Sequence, residues 1–119
     1  MKQKADGVEV DIRLTSDNRV ICHHDKNTKR TTGEDKIVAE TTFKELKTLD
    51  CGSWFGKSWL RHRIPELKEV FSCLKNQEIF IEVKTKEEII PYLIKDMENY
   101  SNKCITVISF YPEVIRGIK

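Results

Sequence analysis

The sequence predicts an α/β fold, a part of a larger (β/α)8 barrel, and three observations carry that expectation. Strands of period two alternate with helical segments, the order that produces parallel βαβ units. Two of those strands place carboxylates on one face and branched aliphatic side chains on the other. A sheet of three parallel strands would also leave both edges open, an arrangement that natural proteins avoid by closure or covering.

The first strand spans residues 8–14, with Val8, Val10 and Ile12 on one face and Glu9, Asp11 and Arg13 on the other. Asp17-Asn18 signals a turn, and residues 19–24 read as the returning strand of a hairpin. Residues 25–36, rich in Asp, Asn, Thr and Lys, form a loop with Gly33 at its tip. Thr42-Phe43-Lys44-Glu45 fits a capping box, followed by a short helix with Phe43, Leu46 and Leu49 on one face. An aromatic loop, Gly52-Ser53-Trp54-Phe55-Gly56, comes next; Trp54 and Phe55 suit either a pocket wall or core packing. Pro65 is placed in the first turn of a second helix whose Leu67, Val70, Phe71 and Leu74 share a face.

Residues 79–84 form another alternating strand, with Ile79, Ile81 and Val83 opposite Phe80, Glu82 and Lys84. A third helix covers about residues 90–100, with Ile90, Leu93, Ile94 and Met97 facing inward and Pro91 tolerated near its start. Residues 105–110 make a last strand, and Pro112-Glu113 opens a helix. Residues 1–119 are thus expected to be a single, partial domain, cut at both ends.

Composition sets further bounds. Of the 119 residues, 39% are hydrophobic and 34% charged, as in a soluble globular chain. The 21 basic and 19 acidic residues nearly balance, and no basic stripe points to nucleic acid. No apolar run reaches the length of a membrane span, and Met1-Lys2-Gln3-Lys4 is not followed by a signal-type apolar segment, so a cytoplasmic location is expected. Cys22, Cys51, Cys73 and Cys104 lack metal-type spacing and read as free thiols, Cys73 on the apolar side of its helix.

In a (β/α)8 barrel the functional groups gather at the C-terminal ends of the strands. The charged faces of the two strands would then point inward and bring Glu9, Asp11 and Glu82 together. Like charges at close range cannot all stay ionised, and a hard divalent cation such as Mg²⁺ or Ca²⁺ resolves the conflict for an all-oxygen set. Each strand taken alone also fits a solvated edge face. His24-Asp25 follows a strand directly, and a histidine there suits general acid–base work, although a lone loop histidine is more often a surface residue. His23, on the opposite face, and His62, between two arginines, carry no such expectation.

Several motifs in order resemble the glycerophosphodiester phosphodiesterase family. They are Ala5-Asp6-Gly7-Val8-Glu9-Val10-Asp11-Ile12-Arg13-Leu14-Thr15, then Val20 to His24-Asp25, then Arg30-Thr31-Thr32-Gly33. Phe43 to Leu49-Asp50, Gly52-Ser53-Trp54-Phe55, Ile64-Pro65-Glu66-Leu67, Ile81-Glu82-Val83-Lys84 and Val107-Ile108-Ser109-Phe110 continue the match along nearly the whole chain. The resemblance implies a TIM barrel that lacks here its first strand and its second half. It implies hydrolysis of glycerophosphodiesters, as in lipid metabolism, to glycerol 3-phosphate and an alcohol with the help of a divalent cation. Glu9, Asp11 and Glu82 would be metal ligands, His24 one of two catalytic histidines, and Lys84 a phosphate contact.

The family's His-Arg-Gly strand end and Pro-Glu-Asn-Thr segment are absent from this sequence. Without the second histidine, the chain by itself is expected to be a weak catalyst or none. A fragment of an active enzyme, an inactive remnant, and a phosphate- or metal-binding half-barrel completed by a partner chain are the competing explanations; open sheet edges would favour self-association. A phospholipase D-like toxin on the same barrel is disfavoured by Arg30-Thr31-Thr32-Gly33.

Overall fold

Four strands form a single sheet in the order β2-β1-β3-β4, in a computed structural model that describes residues 7–49, 63–74, 78–98, 104–109 and 111–118. Strand β1 (Gly7–Leu14) lies at its centre, parallel to β3 (Glu78–Val83), which is in turn parallel to β4 (Cys104–Ser109). On the other side of β1, the three-residue β2 (Val20–Cys22) pairs antiparallel with residues 12–14. The hairpin strand is therefore shorter than the sequence predicts, and His23 and His24 fall beyond it. The turn between β1 and β2 places Asn18 at φ 64°, a left-handed conformation that asparagine tolerates better than most residues.

Alternation decides the layers. Val8, Val10, Ile12, Ile79, Ile81 and Val83 are all buried against one face of the sheet. They share a core with Leu67, Val70 and Phe71 of α3 (Leu67–Cys73), Leu93 of α4 (Ile90–Glu98) and Val114 of α5 (Pro112–Ile118). Each fully buried aliphatic side chain contributes roughly 1.5–3 kcal/mol, so this face dominates the energetics of the sheet. The opposite face carries Glu9, Asp11, Phe80 and Glu82 and, further out, the exposed Thr106 and Ile108.

The excursion from β2 to α3 has a core of its own. Ile21, Val38, Phe43, Leu46, Leu49 and Ile64 form a second cluster. Val20 packs into the main core while Ile21 packs into the second, so β2 is held between the two. The polar stretch after β2 contains a single helical turn, α1 (Lys29–Thr32), closed by Gly33 at φ 82°. Composition hid this turn, because it buries no residue and so shows no apolar period. The short helix α2 (Phe43–Leu46) is capped as its sequence predicts, with the Thr42 side chain accepting the Glu45 N–H.

Helix α3 starts later than the proline suggests. Pro65 precedes the cap residue Glu66, whose N–H donates to the Glu69 carboxylate (2.9 Å), the return half of a capping box. A 3-10 turn (Glu87–Ile89) leads into α4. Cys73 is exposed rather than on the apolar side of α3, because it lies at the helix end beyond Val70 and Phe71. Trp54, Phe55 and His62 lie outside the described residues. Among the described residues, no helix is long and apolar enough to cross a membrane.

Candidate functional site

Strand register brings the first predicted site residues together. Asp11 of β1 is the register partner of Glu82 of β3, and Glu9 pairs with Phe80 two rungs lower. Because Glu9 and Asp11 are two residues apart on one strand, they share a face but stand about 6.8 Å apart along it. Asp11, Glu82 and Lys84 are partly buried, while Glu9 is exposed. Register thus places Asp11 beside Glu82 at a partly buried position, with Glu9 on the same face but exposed.

Lys84 follows directly on β3. Its N–H donates to the Ile12 carbonyl (3.1 Å), which extends the sheet register by one residue. Its ammonium donates to Glu82 Oε2 at 2.7 Å, with the two side chains only 21% and 18% exposed. This charge-assisted bond at a shielded position is stronger than an exposed pair.

On the other side of β1, the His23 N–H donates to the Asp11 carbonyl (2.9 Å), which fixes where the chain leaves β2. The His23 ring turns inward and is 9% exposed, with Nε2 donating to the Asn27 carbonyl at 2.9 Å. Burial lowers its pKa from the usual histidine value against the pull of that hydrogen bond. The ring is thus buried in the loop after β2 rather than at the surface.

His24 points outward, its side chain 60% exposed. Its carbonyl accepts from Arg13 Nε at 2.9 Å, and Arg13 shares the β1 face with Glu9 and Asp11. Its Nδ1 lies 2.7 Å from Asp25 Oδ1, and Asp25 in turn accepts from Arg30 Nε (2.8 Å) and Nη2 (3.2 Å). Hydrogen bonding from Arg30 first, and then from His24, holds the Asp25 carboxyl well below the ordinary carboxylate range. For Arg13, burial outweighs the nearby Asp25 and lowers the guanidinium pKa.

Arg13, Asp25 and Arg30 are thus part of the arrangement although their residue types alone assigned them no role. The available signal was Asp25 and Arg30, opposite charges five residues apart in one polar loop.

The carboxylate set is chemically suited to a hard cation, since all its donors are oxygens. Among the described residues, however, no group of three or more His, Cys, Asp or Glu side chains is close enough to hold a metal ion. The register explains this: Asp11 and Glu82 share a rung, Glu9 lies two rungs away, and Glu82 engages Lys84. A cleft of about 570 Å³ lies elsewhere, between Arg19, Phe43, Lys47, Arg63 and Glu66, and includes none of the predicted site residues.

Comparison with known proteins places this arrangement in context. The model of the glycerophosphoryl diester phosphodiesterase family matches residues 1–109. The chain is 32% identical to a glycerophosphodiester phosphodiesterase of Caldanaerobacter subterraneus subsp. tengcongensis, over all of this chain and 52% of the relative. It is 34% identical to glycerophosphodiester phosphodiesterase 1 of Mus musculus, over 96% of this chain and 37% of the relative. Among solved structures, an Oleispira antarctica phosphodiesterase in complex with the product sn-glycerol-3-phosphate superposes with a TM-score of 0.89 at 26% identity. That match covers 95% of this chain and 49% of the other. A glycerophosphodiester phosphodiesterase from Agrobacterium tumefaciens gives 0.85 at 25% identity, covering 96% and 49%. The chain spans about half the length of these two solved structures and of the Caldanaerobacter relative, and less of the mouse one.

Proposed function

Since the chain belongs to the glycerophosphoryl diester phosphodiesterase family, we propose that it forms part of a metal-dependent hydrolase that cleaves glycerophosphodiesters to glycerol 3-phosphate and an alcohol. The observation that carries this reading is the Asp11–Glu82 rung at the C-terminal ends of two parallel strands, with Lys84 bonded to Glu82. In this fold class that end of the strands is where chemistry is placed. The substrate is a small glycerophosphodiester, as the relatives' names state.

The resemblance to the family gives each residue a part. Glu9, Asp11 and Glu82 would hold a divalent cation, Mg²⁺ or Ca²⁺, by oxygen alone. When bound, such an ion withdraws charge from phosphoryl oxygens. Lys84, two residues beyond Glu82 and bonded to it, supplies a positive charge suited to a phosphate oxygen. His24, outward-facing and tethered through its carbonyl to Arg13, is the group that takes or gives a proton.

The test separates binding from turnover. Mg²⁺ or Ca²⁺ raises the melting temperature of the wild-type chain, and Glu9→Gln or Asp11→Asn abolishes the rise; no rise in the wild type refutes the metal assignment. Metal-dependent release of glycerol 3-phosphate from glycerophosphocholine supports the hydrolase reading. Metal stabilisation without release would instead favour the second reading, a metal- and phosphate-binding half-barrel that needs a partner chain.

A further inference from the structure

Asp25 has no place in the metal and phosphate contacts proposed above, yet it is the most heavily bonded carboxylate near His24. Oδ1 meets the His24 ring at 2.7 Å, and Arg30 donates to both oxygens, Nε to Oδ2 at 2.8 Å and Nη2 to Oδ1 at 3.2 Å. An ionised carboxylate only accepts hydrogen bonds, so the ring nitrogen facing it carries a proton. Neutral His24 is then the Nδ1–H tautomer, and Nε2 is left with a lone pair.

The loop bearing these residues is stiffened by its own hydrogen bonds. Thr28 is fully buried; its hydroxyl donates to the Glu34 carbonyl (2.5 Å) and accepts the Lys36 N–H (3.1 Å). Thr32 Oγ1 reaches back to the Thr28 carbonyl (2.8 Å), Asn27 bridges to Ile37, and His23 Nε2 donates to the Asn27 carbonyl. Arg30 stands on the helical turn that this network closes. At the other end, Arg13 holds the His24 carbonyl to β1. The main chain of His24 and the partner of its ring are therefore fixed from two different elements.

We propose that Asp25, clamped by Arg30, is a positioning residue that sets the tautomer and orientation of the His24 imidazole, leaving Nε2 as the atom that accepts a proton from the attacking group. This role rests on the reading of His24 as the proton-transfer group. Stability alone does not account for the constellation, since His24 and Arg30 are 60% and 55% exposed and such pairs add little to folding.

The test is nitrogen-15 NMR of the imidazole rings in the full chain near neutral pH, with His24 assigned by His24→Gln. Wild-type His24 is expected to show the Nδ1–H pattern in its neutral form. Asp25→Ala shifts it toward the Nε2–H form that free imidazole favours in water, and Arg30→Gln moves the ring signals part of the way. The backbone amide signals of β1 and β3 stay in place in both variants, which separates repositioning from unfolding. A wild-type ring in the Nε2–H form, or a ring unchanged by Asp25→Ala, overturns the proposal. The measurement needs no turnover. A chain that hydrolyses nothing but shows an Asp25-dependent Nδ1–H ring counts against the hydrolase reading and leaves the positioning role intact.

Discussion

Removing Arg19 tests whether the excursion that carries His24 is fastened to the sheet by one ion pair. Glu66 is 6% exposed and caps α3, while Arg19 precedes β2, 47 residues away in sequence. The guanidinium grips the carboxylate with two bonds, Nε to Oε2 at 2.5 Å and Nη2 to Oε1 at 2.7 Å. The junction is reinforced by the Cys22 N–H, which donates to the Pro65 carbonyl at 2.9 Å, and by a bridge between Ile21 and Glu66. Exposed ion pairs contribute about 0–1 kcal/mol, whereas breaking a buried pair costs about 3–5 kcal/mol. This pair falls between, because the Arg19 side chain is 41% exposed and Lys68 remains 3.9 Å from Glu66. Arg19→Met is therefore expected to cost about 2 kcal/mol, equivalent to a fall of about 8 °C in Tm for a chain of this length. Thermal and urea unfolding of Arg19→Met, Glu66→Gln and the double variant give the coupling energy directly. A coupling below about 0.5 kcal/mol would show that the pair behaves as an exposed one and that backbone bonding and packing of the second cluster hold the junction without it.

Two other expectations follow from buried titrating groups. The His23 pKa is lowered by burial, so the unfolded chain binds the extra proton first; stability is full above the unfolded value near 6.5 and declines as pH falls through the window below it. Urea unfolding at pH 7.5 and 5.5 is expected to show that loss at no more than about 1.4 kcal/mol per pH unit from this group, and His23→Gln to flatten it; a steeper loss in the variant would contradict the assignment. Burial pushes the Cys22 thiol up to about 12, whereas Cys73 is exposed. Maleimide labelling of the native chain, read by peptide mass, should modify Cys73 well before Cys22, and equal rates would be inconsistent with the packing of β2.

The parts of this fold that were legible are those in which side-chain period and burial coincide. Val8, Val10 and Ile12 alternate against Glu9 and Asp11, as Ile79, Ile81 and Val83 do against Phe80 and Glu82, because a strand buried on one face cannot shift by one residue without exposing its core set. The turn at Lys29–Thr32 escaped notice because it buries nothing, and Glu66 escaped as a cap because glutamate is an uncommon choice there. The Arg19–Glu66 bond could not be read at all, since it joins residues whose proximity exists only once the second cluster is packed. For the candidate site, residue types and their strand ends were visible in advance, but the spacing between rungs was not. That spacing depends on how β1 pairs with β3, which no single strand specifies.

Pairing of that kind has a consequence for how such a site can change over time. Asp11 faces Glu82 because a ladder of backbone bonds, continued by Lys84 to Ile12, allows only whole-residue steps. A slip of one residue would turn the carboxylates into the aliphatic layer, and a slip of two would displace one from the other by about 6.8 Å. Gradual adjustment along the strands is closed to this chain. Fine tuning of reach and affinity must instead come from the segments beyond the strand ends, where a loop can lengthen or a side chain can be exchanged without renumbering the ladder.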